Sequence, residues 1–256
     1  MPVSIFVINL LRRADRRAAI DAQLAAAGLR AEFVAAVDGN TLELAAYRDA
    51  GQPSRGEIAC YLSHTRIWAQ VIDRQLAFAL VLEDDVLIDR RLAQACEAIA
   101  QMPLGVDVIR LGSLMRPCGF KIAEIAPGID LLAPSRNASG MHAYLVSQQG
   151  ARRLLRDFAE PRQPVDRVLD QAWHNGLDVL LAAPPLASPR NSNHSDIAAL
   201  GLRARRSARG NRLQRWIERI RRNAQALRLQ RLMRLRLSGR GATPYGRALA
   251  ARAAIP

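Results

Sequence analysis

The sequence predicts an α/β fold: a mixed, mostly parallel sheet flanked by helices, with a basic helical C-terminal extension. Three observations carry this. Short apolar, β-branched runs alternate with segments of helical spacing through most of the chain. One run, Leu76 to Leu82, ends abruptly in three acids, Glu83-Asp84-Asp85, as a buried strand does where it surfaces. The charge is segregated: residues 199–256 hold 16 Arg and one acid (Glu218), whereas residues 1–198 hold 21 basic and 22 acidic groups. The division predicts a domain over 1–198 and an Arg-rich amphipathic tail over 199–256.

The elements follow in order. Val3–Leu10 is apolar and β-branched, a first strand. Asp15–Ala27 has Ile20, Leu24 and Ala27 at helical spacing, with Asp15 as a candidate cap and Gly28 beyond the end. Glu32–Ala36 is a short strand, and Val37-Asp38-Gly39-Asn40 a turn. Ile58–Ile72 reads as a helix, Ala77–Leu82 as a strand, Arg90–Gln101 as a helix and Asp107–Leu111 as a strand. Gly112–Arg136 mixes Gly, Pro and short runs, which predicts loops and short strands around a site. Ala143–Val146 is a strand, Gly150–Phe158 and Val165–His174 are helices, and Val179–Ala182 is the last strand. From Asn211, Leu213, Trp216, Ile217, Ile220, Ala224 and Leu227 recur at helical spacing with Arg between them, a cationic amphipathic helix reaching about Leu237.

Several function classes lose ground. No run reaches membrane-spanning length, and Met1–Leu11 is short, with its Arg pair following it, the reverse of a signal peptide. Cys60, Cys96 and Cys118 are widely spaced, without a CxxC pair, which argues against a disulfide framework or zinc site and fits a reducing cytoplasm. Cys60 reads as core. Neither GxxxxGK[ST] nor GxGxxG occurs, so the common phosphate cradles are missing.

The triplet has two readings. Adjacent carboxylates repel, and hard cations such as Mg²⁺ and Mn²⁺ prefer carboxylate oxygen shared with substrate phosphates. Ligands of open α/β sheets bind outside the carboxyl ends of strands. Alternatively, Asp84 or Asp85 caps the helix expected near Asp89.

Several stretches together resemble glycosyltransferase family 25, the lipooligosaccharide and procollagen galactosyltransferase family. They are Ile8-Asn9-Leu10 with Arg13, Asp15 and Arg16; Phe33 with Ala36-Val37-Asp38-Gly39; Gly56-Glu57-Ile58-Ala59-Cys60 with Ser63-His64 and Trp68; Leu82-Glu83-Asp84-Asp85-Val86; and Ala143-Tyr144-Leu145-Val146-Ser147 with Gly150-Ala151. Pro164-Val165-Asp166 and Ser195-Asp196-Ile197 add to the likeness, which covers residues 3–198.

The resemblance implies a GT-A (Rossmann-like) fold, a UDP-sugar donor, a Mn²⁺ or Mg²⁺ cofactor and inversion at the anomeric carbon. Glu83-Asp84-Asp85 would be the DxD-type element, with Asp85 on the metal and Glu83 or Asp84 on the ribose or the metal's waters. Asp166 is the candidate general base, with His142 and Asp38 as rivals; as a plain first-turn acid after Pro164 it needs no catalytic role. His64 is a candidate site residue or a packed helical histidine, and His194 a late metal ligand or a solvated loop residue. Arg13 and Arg16 would contact the nucleotide or else solvate the exposed start of a helix, Asn9 would bond the uridine or cap the strand end, and Asp38 stands beside them. Trp68, Trp173 and Tyr144 read as core.

The implied partners are a UDP-sugar and a lipid-linked or surface glycan, as in lipopolysaccharide assembly. The tail suits an anionic membrane surface, placing the protein in the cytoplasm or on the inner face of its membrane. A helix packed on the core with a solvated Arg face is the simpler alternative. Nucleic-acid binding lacks aromatic interleaving. The competing functions are a metal-dependent nucleotidyltransferase or hydrolase, and a non-catalytic relative acting as a binding protein.

Overall fold

A computed structural model describes residues 3–42, 53–190 and 212–238. An eight-stranded sheet runs in the order β2 (Glu32–Ala35), β1 (Ser4–Asn9), β3 (Phe78–Glu83), β8 (Ala143–Ser147), β5 (Val108–Arg110), β9 (Val179–Ala183), β7 (Ile129–Pro134), β6 (Gly119–Ala126). Strand pairings orient β8 and β7 against the other six, so the sheet is mixed and mostly parallel, as the sequence predicts.

Alternation along the strands builds two cores. Ile5 and Val7 of β1, with Leu80 and Leu82 of β3, face α1 (Ala14–Ala26) and α3 (Leu92–Gln101). Phe6 and Ile8, with Ala79 and Val81, face α2 (Arg55–Asp73), α4 (Gln148–Asp157) and α5 (Val165–Asp170). The two crossovers leaving and rejoining the β2–β1–β3 group therefore lie on opposite faces, which opens a crevice at the carboxyl end of β1.

Helix α2 starts three residues before the predicted Ile58 because Ser54 and Glu57 form a capping box: Glu57 N–H donates to Ser54 Oγ (3.3 Å) and Ser54 N–H to Glu57 Oε2 (2.8 Å). Gly150 opens the first turn of α4, where a Cβ would stand 2.1 Å from the Asp107 carbonyl oxygen, so only glycine fits there.

Several expectations change. Asp15 does not cap α1; Arg13 holds the cap position without a side-chain bond, and Asp15 in the first turn binds the Arg13 guanidinium instead. The acidic triplet caps no helix: a turn and the short strand β4 (Val86–Ile88) follow it, and α3 begins only at Leu92. Gly112–Arg136 is mostly the β6–β7 hairpin at the far sheet edge, away from the carboxyl end of β1. The helix expected over Val165–His174 breaks at Gln171 into α5 and α6 (Ala172–Asn175). Beyond β9 a further strand, β10 (Ala187–Pro189), pairs antiparallel with β4.

The basic helix forms as α7 (Arg212–Ser238), and the face it buries is not the apolar row that begins at Leu213. Ala226, Leu229 and Met233 join the core on the β6–β7 side, whereas Leu213, Trp216, Ile220 and Leu227 stay exposed. No helix among the described residues is long and apolar enough to cross a membrane.

Candidate active site

Parallel register brings three strand ends to one level. Val7 pairs with Leu82 and Ile8 with Glu83, while Asn9 pairs with Ala35 on the other side. The chain segments leaving β1, β2 and β3 line an open cleft of about 110 Å³. Its walls include Arg12, Arg16, Gly39, Cys60, His64 and the whole acidic triplet.

The three acids have different surroundings. Asp84 is buried and spoken for: it accepts from Asn9 Nδ2 (2.7 Å) and from Arg16 NH1 (3.2 Å). Asn9 also donates to the Arg13 carbonyl (3.2 Å), so it ties the start of α1 to the triplet. Asp85 is partly exposed, and its Oδ2 lies 3.2 Å from the same Arg16 nitrogen. Its backbone carbonyl accepts from Arg190 N–H at 2.7 Å, which fastens the chain after β10 beneath the site.

Glu83 faces His64, whose Nε2 lies 3.7 Å from Oε1. Trp68 Nε1 can only donate, so the Tyr144 oxygen accepts from it at 3.0 Å and sends its own proton to His64 Nδ1, also 3.0 Å away. The imidazole proton is thereby left on Nε2, aimed at Glu83 and without another partner. Trp68, Tyr144 and His64 are all fully buried, a polar chain inside an apolar core.

Electrostatics follow from this crowding. Burial first, then the charges of Glu83 and Asp84, push the Asp85 carboxyl up to about 6, with Arg16 offsetting only part. Burial also raises Asp84, against the opposing pull of Asn9 and Arg16. For Glu83, burial acts upward, but His64, His142 and Arg16 together outweigh it and hold the carboxyl below the ordinary range. The Cys60 thiol is raised by burial and by the charges of Glu83 and Asp166. The cleft thus holds more negative charge than Arg16 neutralises, and its carboxylate oxygens are the donor chemistry that Mn²⁺ or Mg²⁺ favours.

A second donor set is present: ligand atoms of Cys60, His64 and Glu83 lie within 4.8 Å of one another. Its N, S, O composition suits a borderline metal such as Zn²⁺. The proton left on Nε2 favours donation to Glu83 over ligation.

The other predicted residues scatter. Arg13 turns to Asp15 and does not line the cleft. Asp38 pairs with Arg12 and turns the Asn40 amide (2.9 Å), so it orders the loop beside the cleft. Asp166 accepts from Gly140 N–H at 3.3 Å, and His142 Nε2 lies 3.3 Å from the Ala187 carbonyl; neither lines the cleft. Burial lowers the His142 pKa, which fits a neutral ring wedged beside Gly112 and Gly140. His194 lies outside the described residues.

Sequence reasoning missed Arg12, and it read Cys60 as core when it lines the cleft. It also missed the Trp68–Tyr144–His64 chain. The signal for that chain was a histidine in the apolar row Tyr61, His64, Trp68, Val71 of α2.

Residues 3–169 match the sequence profile described as Glycosyltransferase family 25 (LPS biosynthesis protein). The chain belongs to glycosyltransferase family 25. Procollagen galactosyltransferase 1 of Danio rerio is 34% identical over 190 residues, covering 64% of this chain and 30% of that protein. Procollagen galactosyltransferase 2 of Mus musculus is 36% identical over 187 residues, covering 64% and 29%. The inactive glycosyltransferase 25 family member 3 of Mus musculus is 34% identical over 215 residues, covering 72% and 36%. The chain spans about a third of the length of these relatives. This family 25 chain therefore has active and inactive kin at similar distance.

Proposed function

We propose that the protein transfers a hexose, galactose by family resemblance, from a UDP-sugar to a glycan acceptor with inversion at the anomeric carbon. The observation that carries this is the partly exposed Asp85, set with Glu83 on the wall of an open cleft at the carboxyl end of β1. Asp85, with Glu83 and Asp84 behind it, would hold a Mn²⁺ or Mg²⁺ ion that neutralises charge developing on the departing diphosphate. Arg16 sits between Asp84 and Asp85 and fixes both carboxylates in place. Asn9 keeps Asp84 pointed inward, and His64 helps to hold Glu83 ionised. His194 is our further candidate ligand, because only three residues intervene between it and Arg190, whose N–H bonds the Asp85 carbonyl, a reach of at most about 14 Å.

Asp166 is our assignment for the base that takes the acceptor proton. Asp166 is half-buried in the first turn of α5, whereas His142 is buried with its Nε2 against the Ala187 carbonyl. A glycan carried on lipid suits the exposed Leu213, Trp216 and Ile220 of α7, which lie among arginines.

The test combines calorimetry and turnover. UDP should bind with Mn²⁺ in the wild type and not in Asp85→Ala, and UDP release from a UDP-sugar panel should require acceptor. Asp166→Asn should keep donor binding and lose about 10²–10⁴-fold in turnover. Unchanged binding in Asp85→Ala removes the metal assignment; acceptor-independent release makes the protein a hydrolase; binding without turnover places it with the inactive relatives.

A further inference from the structure

A second, smaller cavity of about 30 Å³ lies beneath α7, with residues of β5 and β9 on its floor and α5–α6 at its side. It shares no lining residue with the donor cleft. Its polar walls include Arg110, Asn137, Asp170, Trp173, Arg222 and Gln225. Three of these carry a buried nitrogen that finds no partner among the described residues: Arg110 Nε, Trp173 Nε1 and Arg222 Nε. Each is an N–H that can only donate.

The one carboxylate among the lining residues is already engaged. Asp170 accepts from Arg110 NH1 (2.6 Å), Ser139 N–H (3.0 Å) and Ser139 Oγ (3.1 Å). Arg110 is 3% exposed and held rigidly, its other terminal nitrogen donating to the Gly140 carbonyl. Arg222 stacks over the Trp173 ring, 5.6 Å from its centroid. Burial lowers the Arg222 pKa, and Glu218 and Asp170 offset only part of that. Folding thus leaves three donors on the walls of one cavity, two of them on guanidinium groups, and none of the three reaches an acceptor among the described residues. A buried unmatched donor is costly, more so when charged.

We propose that this cavity is a binding site for a small oxyanion, a phosphate or carboxylate group. Such a group brings acceptors only, and guanidinium N–H groups are its preferred partners. The site stands apart from the donor cleft, and its assignment does not depend on transferase activity.

The test is calorimetric titration of the full-length protein with inorganic phosphate, and separately with acetate, at constant ionic strength, against sodium chloride as the control. Wild type should bind phosphate or acetate saturably. Arg222→Gln should weaken that binding about tenfold or more, and Trp173→Phe, which removes the N–H together with the five-membered ring and keeps an aromatic face, several-fold. Arg16→Gln, in the other cleft, should leave it unchanged. Where Arg222→Gln does not fold, Trp173→Phe decides. The proposal is overturned if neither anion binds saturably, if chloride binds equally well, or if the loss follows Arg16 rather than Arg222 and Trp173.

Discussion

Tyr144→Phe is the sharpest probe of the site's hidden support. The hydroxyl accepts from Trp68 Nε1 and donates to His64 Nδ1, each at 3.0 Å, and all three side chains are sealed from solvent. Removing one oxygen therefore strands two polar atoms, with no water to replace it. A buried unsatisfied group costs about 1–3 kcal/mol, so the substitution should cost about 2–6 kcal/mol. For a chain of this size about 2–4 °C of Tm is lost per kcal/mol, which predicts a fall of about 4–24 °C. Differential scanning calorimetry and urea unfolding both read it. Tyr61→Phe is the control: its hydroxyl donates to the Phe158 carbonyl alone (2.5 Å), and about 1 kcal/mol should be lost. A Tyr144→Phe protein melting within a degree of wild type would refute the reasoning, because the buried chain would then contribute nothing to stability.

Two further outcomes follow from the site and from α7. Asp85 has a folded pKa of about 6, above the ordinary carboxylate value, so its protonation favours the fold: that stability is complete below about pH 4 and lost as pH rises through 6. Metal-free Asp85→Asn should accordingly be more stable than wild type at pH 8 by about 1–3 kcal/mol, with the difference closing near pH 4; equal melting across that range would show that no repulsion is stored there. Trp216→Ser with Ile220→Ser should weaken sedimentation with anionic vesicles at low salt about tenfold, leaving the core intact because the buried face is Ala226, Leu229 and Met233. Indifference of the wild-type protein to such vesicles would end the lipid-surface reading.

Much of the fold was readable because it rests on periodicity. The runs of β1, β3 and β8 alternate or are wholly apolar, and each falls within a residue or two of its predicted bounds. The β6–β7 hairpin was not readable, because bulges after Lys121 and Glu124 break its alternation and Gly and Pro punctuate its flanks. Helix α7 shows the limit from the other side. Its longest apolar row pointed to one face, but the sheet edge it meets accepts the smaller row Ala226, Leu229, Met233. Periodicity reports that a face is apolar, and not which surface arrives to cover it.

The sequence alone determined that an acidic triplet stands at the end of a buried strand, in an alternating α/β chain whose motifs fall in family 25 order. Local spacing suffices for that, since strand, turn and charge are neighbours along the chain. Only the tertiary structure decided how the acids divide their roles. Asp84 is taken by Asn9, 75 positions away, His64 is oriented by Tyr144, 80 away, and Arg110 is fixed by Asp170, 60 away. Such partners meet only when the sheet brings distant strand ends to one edge, and a hydrogen bond's distance and direction leave no mark on the periodicity of either segment.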